Sequence, residues 1–153
     1  MTRMRERIGK LLALSSAQRR ILLKAAFMLP CFWIGLHLLG LHRLRAWLMP
    51  VSVFESTPLS IEAVKDMGNL VNIAGRHAPC PVTCLTRSLL LDWMLLRRGV
   101  ASQFRIGVRL AQGVLEAHAW VEVAGVPVND RSDIADQFAP FADIPPPGFF
   151  RSS

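Results

Sequence analysis

The chain has 153 residues, a length that allows one domain with a substantial core and is too short for two comfortable ones. Hydrophobic residues make up 52% and mean hydropathy is +0.33, which excludes a disordered chain and makes contact with a membrane or a partner worth weighing. The formal charge of +7 is uneven: residues 1–50 carry nine Lys or Arg against one acidic residue and residues 51–153 carry nine against ten, so nucleic-acid binding is a poor default.

Residues 1–24 interleave Arg and Lys with Ile8, Leu11, Leu12, Leu14, Ile21, Leu22 and Leu23, the pattern of basic amphipathic helices. Ser15-Ser16 breaks the run and is placed to cap a second helix from Ala17-Gln18 onward. Residues 25–41 carry no formal charge and are interrupted by Pro30, Gly35 and His37. That stretch sits at the lower edge of a spanning length, and Pro30 with Gly35 weakens a simple span. A bent, buried helical hairpin is the expectation, with peripheral membrane contact of residues 1–50 through their basic flanks as the alternative. Arg19, Arg20 and Lys24 precede the apolar run and argue against a signal peptide. Three cysteines then indicate free thiols in a reducing, cytoplasmic compartment. Cys31, His37 and His42 share no metal-binding spacing and are assigned to packing and polar contacts. Residues 1–50 thus read as helices belonging to the same domain as a core formed by residues 51–153.

After Met49-Pro50, Thr57-Pro58 is a start signal for a helix whose apolar positions Ile61, Val64, Met67, Val71 and Ala74 recur at helical spacing, with Gly75 as its stop. Residues 76–83 form a loop leading to Cys84-Leu-Thr-Arg-Ser-Leu-Leu-Leu-Asp-Trp-Met-Leu-Leu-Arg-Arg-Gly99. Pro81 and Thr83 supply start signals for this helix, and Arg97, Arg98 and Gly99 a basic last turn and a stop. Leu85, Leu89, Leu90, Leu91, Trp93, Met94, Leu95 and Leu96 leave almost no polar face, so the helix is packed on most sides. Cys84 stands at its first turn, where the macrodipole and the free backbone N–H groups favour a thiolate. Taken alone, such a cysteine is more often an inert part of the core.

Residues 103–109, 114–123 and 126–130 read as three strands divided by the turn signals Gln112-Gly113 and Ala124-Gly125. His118 lies on the second and Asp130 at the end of the third. Singly, His118 is a hydrogen-bonded strand histidine and Asp130 a turn residue beside Asn129; after a helix-start cysteine they are also the parts of a Cys-His-Asp triad. Zinc ligation by His77, Cys80, Cys84 and His118 is the rival chemistry, disfavoured because His-x2-Cys-x3-Cys is not a usual ligand spacing. Ile134, Phe138, Phe141 and Ile144, followed by Pro145-Pro-Pro-Gly-Phe-Phe150, read as an extended tail that closes the core edge.

Cys, His and Asp in the order helix, strand, strand is the arrangement of papain and transglutaminase-like cysteine hydrolases. The fold class expected is therefore α+β, a Cys helix packed on an antiparallel sheet, with an N-terminal helical region. More specifically, Cys84-Leu-Thr-Arg-Ser-Leu, the Leu-Leu-Arg-Arg-Gly-Val run, Phe104-Arg-Ile-Gly-Val-Arg109, Ala117-His-Ala-Trp-Val-Glu-Val123 and Val128-Asn-Asp130 resemble the protease of lasso-peptide biosynthesis. The resemblance covers residues 84–131 closely. It implies a cysteine peptidase that removes the leader from a ribosomally made precursor peptide, with Cys84, His118 and Asp130 catalytic and no cofactor or metal. Only about eighty residues precede Cys84, and they read as helices without winged-helix strands. The resemblance then implies a stand-alone protease that needs a separate leader-recognition protein and passes the trimmed peptide to an ATP-dependent macrocyclase. An acyl transferase on the same fold and a non-catalytic membrane-associated adaptor are the other readings.

The triad sets a register. If residues 123–125 form a three-residue loop, Glu122 pairs with Val126 and His118 lies opposite Asp130. A two-residue Ala124-Gly125 turn instead sets His118 opposite Arg131 and turns Asp130 to the other face. Function predicts the longer loop. Trp120, two residues beyond His118 on the same strand face, is expected either to shield the Cys–His pair or simply to fill the core.

Overall fold

A computed structural model of the chain describes residues 14–48 and 59–141. The basic helix expected before residue 14, the Thr57-Pro58 start signal, Ile144 and the proline-rich tail lie outside the described residues. Helix α1 (Ser16–Leu48) begins at a reciprocal cap: the Ser15 hydroxyl accepts from the Gln18 N–H at 3.2 Å and the Gln18 side chain accepts from the Ser15 N–H at 2.9 Å. It passes through Pro30 and turns at Gly40, whose φ of 74° an L side chain rarely adopts. The turn brings Leu44 back against Gly35, so that a Cβ on Gly35 would meet the Leu44 side chain at 2.9 Å. Nine residues apart on a straight helix these two would be separated by about 13 Å.

The expected bend is therefore present, but burial is one-sided. Leu22, Ala25, Leu29 and Phe32 enter the core, whereas Leu23, Phe27 and Leu38 are 70%, 78% and 77% exposed. α1 is also the one helix among the described residues long and apolar enough to cross a membrane.

Helix α2 (Ile61–Arg76) is capped by Ser60, whose hydroxyl accepts from the Ala63 N–H. Gly75 does not end it. The helix continues to Arg76, and Gly75 instead leaves the space through which the aliphatic stem of Arg87 passes. Helix α3 (Cys84–Leu96) starts at Thr83, whose side chain accepts from the Thr86 N–H, and is the centre of the core. Leu89, Leu90, Leu91 and Leu95 have no exposed surface, and Trp93 meets Phe32 of α1 edge-on at 5.7 Å.

Strands β1 (Ser102–Ala111) and β2 (Val114–Val123) form an antiparallel hairpin along their whole length. Two short strands flank it, β3 (Val126–Pro127) beside β2 and β4 (Ala139–Pro140) beside β1, in the order β3-β2-β1-β4. Between them a single turn of helix, α4 (Ile134–Gln137), buries Ile134, so the segment expected to be extended starts as helix, and only Ala139–Pro140 pairs along the β1 edge. The observed class is α+β, with helices laid against an antiparallel sheet.

The β2–β3 connection overturns the predicted register. Val123 pairs with Val126 and Glu122 with Pro127, so the loop is the two-residue one. Ala124 and Gly125 both have positive φ, 51° and 76°, the conformation of a type I′ turn, whose twist suits a tight hairpin. Strand pairing ends at Pro127 rather than reaching Asp130.

A buried ion pair ties α1 to α3. The Arg45 guanidinium lies 3.5 Å from the Asp92 carboxylate, both nearly fully buried, and the other Asp92 oxygen accepts from the Ser102 hydroxyl at 2.6 Å. Loss of water pushes Asp92 up to about 6, against the opposing pull of the Ser102 hydrogen bond and the Arg45 charge. A carboxyl raised in the folded state binds its proton more tightly there than when unfolded. Its penalty is thus fully felt above pH 6 and is relieved as pH falls toward 4. Comparing urea unfolding of the wild type with Asp92→Asn at two pH values should show the wild type gaining about 1 kcal/mol on the variant between pH 7 and pH 5. A difference independent of pH would show that Asp92 does not titrate in this range.

Candidate active site

Cys84 is half-buried at the first turn of α3. Thr83 caps this helix, its side chain accepting from the Thr86 N–H, so Cys84 is held at the helix N-terminus. Cys84 shares one cleft with Asn72, Arg87, Ser88, His118, Ala119, Asn129 and Asp130. The three residues singled out by the sequence are thus brought together. His77 and Cys80 do not line this cleft, and among the described residues no group of three or more His, Cys, Asp or Glu side chains could hold a metal ion.

His118 hydrogen-bonds through Nε2 to the Asp130 carboxylate at 2.6 Å, a contact in which the ring N–H donates. The other nitrogen, Nδ1, then carries the lone pair in the neutral ring. The contact forms although the strand register places Asp130 out of line with His118. The chain bends over residues 128–130 after its two paired residues, and the side chain of Asn129 takes over the ladder: its amide oxygen accepts from the Val121 N–H at 2.8 Å. Released from strand alternation, Asp130 turns back to the histidine, and its second oxygen accepts from the Arg131 N–H.

Two features seat this bend. Gly68 of α2 lies directly against the backbone of Val128 and Asn129, where a Cβ would collide with the Val128 carbonyl. One turn on, the Asn72 amide donates to the Asn129 carbonyl at 2.7 Å. The Asn129 amide N–H donates to the Ser88 hydroxyl at 2.9 Å, and that hydroxyl donates to the Ala119 carbonyl, also at 2.9 Å. Ser88 has no exposed surface. It stands four residues after Cys84, on the same helix face.

Two rings lie beside the imidazole. Trp120 is fully buried with its ring near-parallel to His118 at 6.4 Å, and Phe138 is tilted against it at 5.2 Å. Both fit because the residue paired with His118 on β1 is Gly107, where a Cβ would strike Phe138 and the Trp120 ring. Trp120 therefore packs against the histidine and is also a core residue. Its indole N–H donates to Glu122 at 2.8 Å, and Glu122 in turn pairs with Arg105 at 3.1 Å.

Reading the sequence missed Ser88, Asn72, Arg87, Gly107 and Phe138 as neighbours of the site. Ser88 had a signal: with Asp92, it is a polar residue at helical spacing from Cys84 in a helix apolar almost all round. The others are brought in by packing between elements distant in sequence.

A family model described as the transglutaminase-like superfamily matches residues 26–143, and the chain belongs to that superfamily. Its members are typically catalytic, with cysteine protease or acyl-transfer activity. No curated protein and no solved structure matches.

Removing the Ser88 hydroxyl leaves the Ala119 carbonyl and an Asn129 N–H without their partner in a buried place. Ser88→Ala is expected to lower the stability measured in urea by about 1–3 kcal/mol, more than a buried methyl-sized change alone would give. A loss of a few tenths would show that the clamp contributes little.

Proposed function

We propose that this chain is a cysteine peptidase that cuts the leader from a lasso-peptide precursor, with Cys84 as nucleophile, His118 as acid and base, and Asp130 as the residue that orients His118. The observation that carries the reading is the 2.6 Å contact between His118 Nε2 and Asp130, in a cleft that also holds a cysteine at a helix start. Membership of a superfamily with cysteine protease and acyl-transfer chemistry supports the reaction type. The lasso-specific part rests on the resemblance of Cys84-Leu-Thr-Arg-Ser-Leu, Ala117-His-Ala-Trp-Val-Glu-Val123 and Val128-Asn-Asp130 to that protease.

With Nε2–H engaged by Asp130, Nδ1 of His118 is the nitrogen that takes the Cys84 proton. The sulfur attacks the scissile carbonyl, and the backbone N–H of Cys84 helps hold the oxyanion. The protonated His118 then donates to the departing amine, leaving a thioester between Cys84 and the leader. His118, neutral again, removes a proton from water, which attacks the thioester and frees the leader acid and the thiol. Asp130, accepting from Nε2–H, keeps the ring in one tautomer. The partners proposed are the precursor peptide, a separate leader-recognition protein that supplies affinity for the leader, and an ATP-dependent macrocyclase that receives the trimmed core peptide.

Mass spectrometry of a precursor peptide incubated with its recognition protein and this chain should show leader and core fragments whose masses locate one cut. Cys84→Ala should abolish them. Asp130→Asn should cut the rate by orders of magnitude, because the amide no longer fixes the tautomer in which Nδ1 is free. Fragments released equally by Cys84→Ala would sink the thiol mechanism, and a product joined to an added amine instead of water would assign the chain to acyl transfer.

A further inference from the structure

α1 carries two opposite faces of different fates. Leu22, Ala25, Leu29 and Phe32 recur at spacings of three and four and are buried in the core. On the other side Leu23, Phe27, Cys31, Ile34 and Leu38 recur in the same way and are all exposed. At 3.6 residues per turn these five lie within roughly 80° of one another, a stripe about 22 Å long on one element. Trp47, on the segment that returns after Gly40, is a further exposed apolar side chain, 77% open.

The charges that α1 itself carries beside the stripe have one sign. Arg19, Arg20 and Lys24 stand at its N-terminal end and Arg43 beyond its other end, all exposed. No aspartate or glutamate occurs between Glu6 and Glu55. A protein partner of mixed charge would be poorly matched to a face with cations alone, whereas an anionic lipid surface matches both the cations and the apolar side chains between them.

We infer that the exposed face of α1 docks the protein onto anionic membrane surfaces, with the helix lying in the plane of the interface. A spanning arrangement does not suit α1, because Leu22, Ala25, Leu29 and Phe32 are committed to α2 and α3 and cannot face lipid at the same time. In the plane, Leu23, Phe27, Ile34 and Leu38 enter the acyl boundary while Arg19, Arg20 and Arg43 meet the headgroup phosphates. This inference does not depend on the peptidase reading.

Flotation of the full chain with vesicles tests it. The protein should float with phosphatidylglycerol-containing vesicles at low salt, stay behind with pure phosphatidylcholine, and be released by high salt. Leu23→Gln/Phe27→Gln/Leu38→Gln should reduce flotation by about tenfold or more, and Arg20→Gln/Arg43→Gln should reduce it at low salt. An environment-sensitive fluorophore on Cys31, with Cys80→Ser and Cys84→Ala removing the other thiols, gives a readout independent of those variants and should shift to the blue on anionic vesicles. The inference is overturned if the protein floats with no vesicle, if the triple variant floats like the wild type, or if the Cys31 probe stays water-like. Resistance to salt and carbonate extraction would overturn it in favour of a spanning helix. A dimer that the triple variant converts to monomer, with no flotation, would assign the stripe to a second copy of the chain.

Discussion

Asn129 is bonded to three different layers of the molecule. Its amide N–H reaches Ser88 on the helix that carries Cys84, its amide oxygen holds Val121 on the strand that carries His118, and its carbonyl accepts from Asn72 on α2. These are local bonds in a place with little water, so each unsatisfied partner would be costly. The relative placement of Cys84, His118 and Asp130 follows from them: one residue fixes the spacing of helix to strand and directs its neighbour, Asp130, toward the imidazole. These three side chains are placed by this clamp more than by the sheet, whose third strand is only two residues long.

The rest of the core holds α3 in place for that purpose. Leu89, Leu90, Leu91 and Leu95 are surrounded, so the helix has no freedom to roll and carry Cys84 out of the cleft. At its far end Asp92 pairs with Arg45, which anchors the returning limb of α1. That pair is not ideal. Among the described residues the Arg45 Nε and one terminal nitrogen have no hydrogen-bond partner, and burial lowers the guanidinium from its usual range. The cost of burying both charges offsets much of their attraction, so the pair adds little net stability, although removing one partner alone would leave the other charge buried and uncompensated.

Much of this was legible in the sequence, and the failures have causes. The Cys84 helix, the β1–β2 hairpin and the α+β class are written in local signals: cap residues, periodicity and Gly-containing turns. The β2–β3 register is not the one that a His118–Asp130 contact across paired strands would require. Ala124-Gly125 forms the tighter turn, and the reach between His118 and Asp130 is recovered by a bend that no strand periodicity encodes. Gly75 carries a helix-stop signal, but its role is to admit the stem of a side chain from another helix, a reason that exists only once α2 and α3 are packed. For α1, composition alone could not reveal that one apolar face is used by the core while an equally apolar one is left outside.

His118 faces a glycine across the hairpin and lies against two aromatic rings, with its Nε2 tied to a carboxylate. A surface imidazole samples several rotamers about χ1 and χ2 and loses that freedom whenever it must act. Here the space taken from Gly107 is filled by Trp120 and Phe138, so the ring loses its rotational entropy once, as the chain folds. The barrier of any proton transfer through Nδ1 then carries no share for finding the right orientation, and the stability of the fold bears that entropy in its place.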